Sequence, residues 1–176
     1  HELSINGRVV GEDIVDPGWT NYDKTCLYTT TDVTPLVKQG DNAIGMMLGN
    51  GMYNVLGGRY VKFKGSFGPP KLIVQLHVDF EDGTSKIIAS DDTWQTAPGP
   101  ITFSNIYGGE DYDARLDEIW NTPFSPGCRA VSPPSLAGRN ADWRAVEIVD
   151  GPGGVLRSQS QPPVRFMQTF KPIKST

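Results

Sequence analysis

Between Lys71 and Phe80 apolar residues fall at every second position: Leu72, Val74, Leu76, Val78 and Phe80 share one face, with Lys71, Gln75, His77 and Asp79 on the other. This period of two predicts a half-buried β-strand. The turn Glu81-Asp82-Gly83-Thr84 follows, and 85–90 resumes an extended run, so the segment reads as a hairpin. Asp-Gly at its tip suits a type I′ turn, which needs positive φ at both central residues. Further strands are predicted at 3–9, 25–30, 43–48, 93–96, 101–107, 143–149, 154–159 and 164–170. Short strands with frequent turns predict an all-β sandwich. Helix is predicted only over 32–40, where Asp32 caps, Pro35 sits in the first turn and Gly40 ends a connector of about two turns.

The stretch 123–140 holds Pro123, Pro126, Pro133 and Pro134 with little periodicity. It reads as a surface excursion of one domain spanning 1–176, because the residues after it are too few to build a core of their own. There is no internal repeat. Glu2 to Gly7 already read as a strand entering a turn, with no charged-then-apolar leader, so the sequence reads as a piece cut from a larger protein. The composition, 38% hydrophobic and 10% aromatic, supports a core and argues against global disorder. Sixteen basic against 20 acidic residues give a net charge of −4, which argues against a nucleic-acid partner. No window approaches the roughly 18 apolar residues of a membrane helix.

Catalytic chemistry is thinly provided. The histidines are His1 and His77, too few for a histidine triad or metal cage, and His77 falls on the polar side of its strand. Gly57-Gly58 lacks the spacing and lysine of a phosphate loop. Cys26 and Cys128 permit one intramolecular bridge in an exported protein, or two buried thiols. The densest polar cluster is Gly109-Glu110-Asp111-Tyr112-Asp113-Ala114-Arg115. Read as a strand, it puts Asp111, Asp113 and Arg115 on one face, successive positions about 6.5–7 Å apart. That spacing overlaps the roughly 6.5–9.5 Å of inverting glycosidase carboxylates, but any i, i+2 acid pair on a strand shares it. Arg115 beside Asp113 would also hold that acid ionised, the wrong state for a general acid.

Oxygen-rich loops suit a hard cation better. Calcium takes about 6–8 oxygens, and Asn50, Asn105, Glu110 and Asp111 are candidate donors brought from separate loops. Tyr53, Tyr60, Tyr107 and Tyr112 lie near glycine-rich loops, where a ring can stack on a sugar face. The four tryptophans, Trp19, Trp94, Trp120 and Trp143, read as core or corner residues.

Several segments occur in a telling order: Asn6-Gly7, Pro17-Gly18-Trp19-Thr20-Asn21-Tyr22, Tyr28 to Thr34, Gly40-Asp41-Asn42-Ala43-Ile44-Gly45, Leu48-Gly49-Asn50-Gly51-Met52-Tyr53, Asp82-Gly83-Thr84, Asp92-Thr93-Trp94, Gly99-Pro100-Ile101 and Gly109 to Arg115. Over nearly the whole chain they resemble the N-terminal β-sandwich domain of bacterial-type α-L-rhamnosidases. The Gln161-Pro162-Pro163-Val164-Arg165 stretch resembles that domain's junction to the next. The resemblance implies a jelly-roll, galactose-binding-like sandwich in a secreted or periplasmic glycoside hydrolase, whose catalytic carboxylates belong to a separate helical toroid. It further implies a non-catalytic carbohydrate-binding module that holds terminal L-rhamnose in rhamnose-containing glycans with a calcium ion. On that reading Asn50, Asn105 and Glu110 ligate calcium, and Tyr53, Asn54, Glu110, Asp111 and Tyr112 contact sugar. The rival expectation is a structural accessory domain that packs on the catalytic domain of its parent enzyme without binding sugar. Met52 stands where the family usually has tryptophan, and the 123–140 excursion is longer than the family leads one to expect.

Overall fold

A computed structural model describes residues 1–59, 61, 63–117, 120–123, 143–171 and 173. The chain starts with a hairpin, β1 (Glu2–Ile5) and β2 (Arg8–Val9), turned by Asn6 and Gly7 at φ 52° and 81°. Positive φ at both turn residues makes this the type I′ hairpin, for which Asn-Gly is the favoured pair. β1 also pairs antiparallel with β4 (Ile44–Met47), Ser4 opposite Gly45 and Ile5 opposite Ile44, giving a three-stranded sheet of order β2-β1-β4. Asn6 ties this sheet to the loop before β4, its Oδ1 accepting from the Ala43 amide at 2.9 Å and its Nδ2 donating to the Leu36 carbonyl at 3.0 Å.

The remaining strands form five pairs among the described residues. β3 (Thr25–Tyr28) runs parallel to β13 (Val155–Ser158), Cys26 opposite Leu156. Gly154, just before β13, lies so close to β3 that an added Cβ would stand 2.3 Å from the Tyr22 carbonyl oxygen, so only glycine fits. β5 (Asn54–Val55) pairs with β6 (Gly65–Ser66), β7 (Gln75–Asp79) with β8 (Ser85–Ala89), β9 (Gln95–Thr96) with β12 (Arg144–Ala145), and β10 (Ile101–Asn105) with β11 (Gly109–Tyr112). The buried side chains include Ser4, Ile5, Ala43, Asn54, Val55 and Asn105.

The protein is all-β, as its patterning predicts, with differences in detail. β7 keeps the expected alternation, Leu76 and Val78 half-buried between exposed Gln75, His77 and Asp79. Its hairpin turn is not type I′. Gly83 alone takes positive φ, the Gly83 amide bonds the Phe80 carbonyl and the Phe80 amide bonds the Thr84 carbonyl, a three-residue loop with a glycine bulge. The connector helix over 32–40 shrinks to a single 3-10 turn, Thr34–Leu36, and Val37 is already extended. One turn satisfies too few backbone groups to propagate. The run 164–170 forms no strand, only a bridge between Asp13 and Arg165. The hairpin β5–β6 was not predicted, because two-residue strands carry no readable periodicity. Trp19, expected as a core or corner residue, is exposed, whereas Trp120 packs against Gly45. Cys26 is a free thiol whose Sγ lies 3.4 Å from the Tyr22 carbonyl oxygen. Cys128, Tyr60 and the 124–140 part of the predicted excursion lie outside the described residues, while Pro123 is buried.

Candidate functional site

The loop leaving β4 and the β10–β11 hairpin meet. The Asn50 amide donates to Ser104 Oγ at 3.3 Å, and Asn50 Nδ2 to the Ser104 carbonyl at 3.0 Å. Asn50 Oδ1 accepts from Asn54 Nδ2 at 2.9 Å, and Asn54 Oδ1 from Ser66 Oγ at 2.7 Å. Asn105 closes the arrangement: Nδ2 donates to the Gly57 carbonyl at 3.2 Å, and Oδ1 accepts from the Tyr107 and Gly108 amides at 2.9 and 2.8 Å. Three asparagines thus lace β5, β6 and the 57–59 loop onto β10. Planar amides suit the task, since each both donates and accepts in a buried place where loose backbone groups are costly.

This lacing bears on calcium. Both lone pairs of Asn105 Oδ1 are engaged by backbone amides, and Asn50 is held at both ends of its amide. Asp111 is ion-paired with Arg59, a cation already in place. Of the proposed donors only the exposed Glu110 is left, and calcium asks for about 6–8 oxygens. No group of three or more His, Cys, Asp or Glu side chains gathers at metal-binding distance among the described residues. As arranged, the donor set does not fit a calcium ion.

The tyrosines divide. Tyr53 is half-buried in a ring cluster, edge-on to Tyr22 at 5.1 Å and tilted against Phe67 at 5.6 Å, so it builds the floor of the loop rather than an open platform. Tyr112 is exposed, its hydroxyl donating to Asp117 Oδ2 at 2.6 Å, and that bond raises the phenol's pKa above its usual value. Tyr107, 50% exposed, meets Phe63, 44% exposed, edge-to-face at 6.3 Å. Arg59 lies 5.0 Å over the Phe103 ring while pairing with Asp111. Both contacts join the segment between β5 and β6, which supplies Arg59 and Phe63, to the β10–β11 hairpin, which supplies Asp111 and Tyr107. Arg59 and Phe63 were not predicted, because the Gly57-Gly58 segment offers no strand period. The usable signal was an arginine directly after two glycines.

The Glu110–Arg115 cluster is not one strand. β11 ends at Tyr112 and Ala114–Leu116 form a 3-10 turn capped by Asp113, whose Oδ1 accepts from the Arg115 amide at 3.0 Å. Asp111, Asp113 and Arg115 consequently do not share a strand face. Arg115 also grips Asp113 through Nε and Nη2 at 2.8 and 2.6 Å, which pulls the carboxyl down to about 2. An acid so held stays ionised at any ordinary pH.

Strand content defines an all-β domain, and its likeness to the solved structures below is consistent with a sandwich. The family model for the α-L-rhamnosidase N-terminal domain matches residues 1–168. The chain belongs to this family. The α-L-rhamnosidase of Streptomyces avermitilis is 37% identical over 98% of this chain, which spans 16% of that protein. The structure of α-L-rhamnosidase from Dictyoglumus thermophilum superposes with a TM-score of 0.78 at 40% identity, covering 98% of this chain and 17% of that one. The crystal structure of the Streptomyces avermitilis enzyme complexed with L-rhamnose does so at 0.78 and 34% identity, covering 95% of this chain and 15% of that one. The chain thus spans about a sixth of the length of its relatives.

Proposed function

We propose that this domain is a non-catalytic accessory module of a secreted or periplasmic α-L-rhamnosidase, and that it contacts L-rhamnose-containing glycans through the face made by Arg59, Phe63, Tyr107 and Asp111. The observation carrying this reading is that an exposed ring pair, Phe63–Tyr107, and an exposed ion pair, Arg59–Asp111, both bridge the segment between β5 and β6 and the β10–β11 hairpin. Rings meet the C–H faces and C6 methyl of a deoxy-hexose, and the planar charged groups meet its hydroxyls. The methyl contact separates rhamnose from a C6-hydroxyl sugar by about 1–3 kcal/mol. Because the asparagines are committed to internal bonds, the reading assigns the sugar contact to this face without calcium.

Calorimetric titration of L-rhamnose, with millimolar calcium and again after chelation, tests it. Saturable binding that survives chelation and is lost in Tyr107→Ala supports the reading. Silence in both titrations sinks the sugar contact, and loss on chelation alone restores the calcium-assisted form. A packing role on the catalytic domain is the second reading. It is favoured by the apolar run Val164, Phe166, Met167, Phe170 and Ile173, all exposed, with Phe166 at 76% and Met167 at 91%.

A further inference from the structure

We propose that the domain carries a second saccharide-contact point, separate from the Tyr107 face, in a cavity beside the β9–β12 pair that accepts one neutral hexopyranose unit of a glycan. The cavity measures about 250 Å³ and is lined by Asp92, Thr93, Trp94, Gln95 and Ala145. It is a half-open depression, smaller than the roughly 300–1,000 Å³ sites that enclose drug-sized molecules, so it would seat one face of a single sugar ring.

The backbone around the indole is fixed from two sides. Asp91 Oδ1 accepts from the Thr93 amide at 2.9 Å and from Thr93 Oγ1 at 2.6 Å, and the Trp94 amide donates to the Asp91 carbonyl at 3.2 Å. Beyond the turn, the Trp94 carbonyl accepts from the Val146 amide at 3.2 Å, and Gln95 pairs with Ala145 across the strands. Asp91 and Thr93 are therefore occupied in holding the turn. Asp92 and Gln95 are not: neither side chain has a hydrogen-bond or ion-pair partner among the described residues.

This is the opposite of the asparagine lattice, where every planar polar group is engaged internally. Here a carboxylate and a carboxamide, each able to meet two neighbouring hydroxyls, line one concavity with a half-buried indole, the set that recognises a pyranose by its C–H face and its hydroxyl edge. Asp92 also sets the charge of the ligand. A uronate would bring a second carboxylate towards it, so the site selects a neutral sugar. The inference does not rest on the Tyr107 face.

The test is an NMR titration of the ¹⁵N-labelled full chain with methyl glycosides of D-glucose, D-galactose and L-rhamnose, and with glucuronate, following the Trp94 indole N–H and the Gln95 amides. At least one neutral glycoside is expected to shift these signals saturably, with glucuronate weaker. Asp92→Ala is expected to weaken that binding by roughly ten-fold or more, and Tyr107→Ala to leave it unchanged. Asp92 is exposed and unpartnered, so its replacement spares the fold, which the remaining spectrum reports. The proposal is overturned by the absence of a saturable shift with all three neutral glycosides, by undiminished binding in the Asp92→Ala, Gln95→Ala double variant, or by glucuronate binding as tightly as the neutral sugars.

Discussion

Gly45 lies flat against the Trp120 ring: a Cβ added to Gly45 would stand 2.6 Å from Cζ3 and 2.8 Å from Cε3. Gly45 is in β4, opposite the fully buried Ser4, so the strand cannot retreat easily and the clash falls on the indole. Gly45→Ala is expected to cost about 1–3 kcal/mol by overpacking. Urea unfolding followed by tryptophan fluorescence measures it; an unchanged midpoint would show that Trp120 swings away freely.

The asparagine lattice predicts a stability effect with no metal in it. Asn54→Ala leaves Ser66 Oγ without its acceptor and Asn50 Oδ1 without its donor in a site where Asn54 is only 8% exposed. A loss of about 1–3 kcal/mol follows. Thermal unfolding of wild type and variant should show the same difference in calcium and in chelator. A calcium-dependent gap would mean that the lattice opens to bind the ion.

Asp113 gives a pH signature. Its carboxyl is lowered from 3.8 to about 2, chiefly by the Arg115 side-chain bond and then by the Arg115 backbone amide. A folded-state value below the unfolded one means that the group favours folding at pH above about 4. That contribution is lost as pH falls through about 2. Because the pair is exposed, the effect on global stability is small, and the readout is the titration itself. Carboxyl-carbon NMR should find Asp113 moving back towards 3.8 in Arg115→Gln. An unmoved titration would show that the turn amide alone holds the charge.

Gly154→Ala should break the parallel pairing rather than strain it. The added carbon would meet the Tyr22 carbonyl oxygen at 2.3 Å and the Thr25 amide nitrogen at 2.6 Å, both backbone atoms. Amide exchange at Thr25–Tyr28 and Val155–Ser158 is expected to accelerate together, with the β7–β8 amides unaffected. Protection retained across β3 would contradict the close approach.

The class of fold was legible because its signals are local. The alternation in Gln75–Asp79 and the Asn6-Gly7 tip each state a backbone preference within a few residues. The pairing partners were not legible: nothing in Thr25–Tyr28 announces that Val155–Ser158 lies beside it, in parallel. The sandwich type came from the ordered motifs of a family, not from periodicity. At the site, the sequence singles out Asn50 and Asn105 for their oxygens, and the fold engages both in internal hydrogen bonds. Asparagines chosen for their oxygens turn out to hold the loops together, because a buried amide is drawn first to the nearest backbone group. Arg59 and Phe63 remained hidden because their nearness to Asp111 and Tyr107 exists only after folding.

The parallel pair also dictates an order of assembly. In a growing chain Thr25–Tyr28 is made well before Val155–Ser158, so this strand must wait for the intervening residues with that edge uncovered. Contacts between such distant stretches form slowly and leave strand edges open to aggregation in the meantime. Closure of the domain is thus a late event, and a chain interrupted before Ser158 would leave its early half without the strand that seals it.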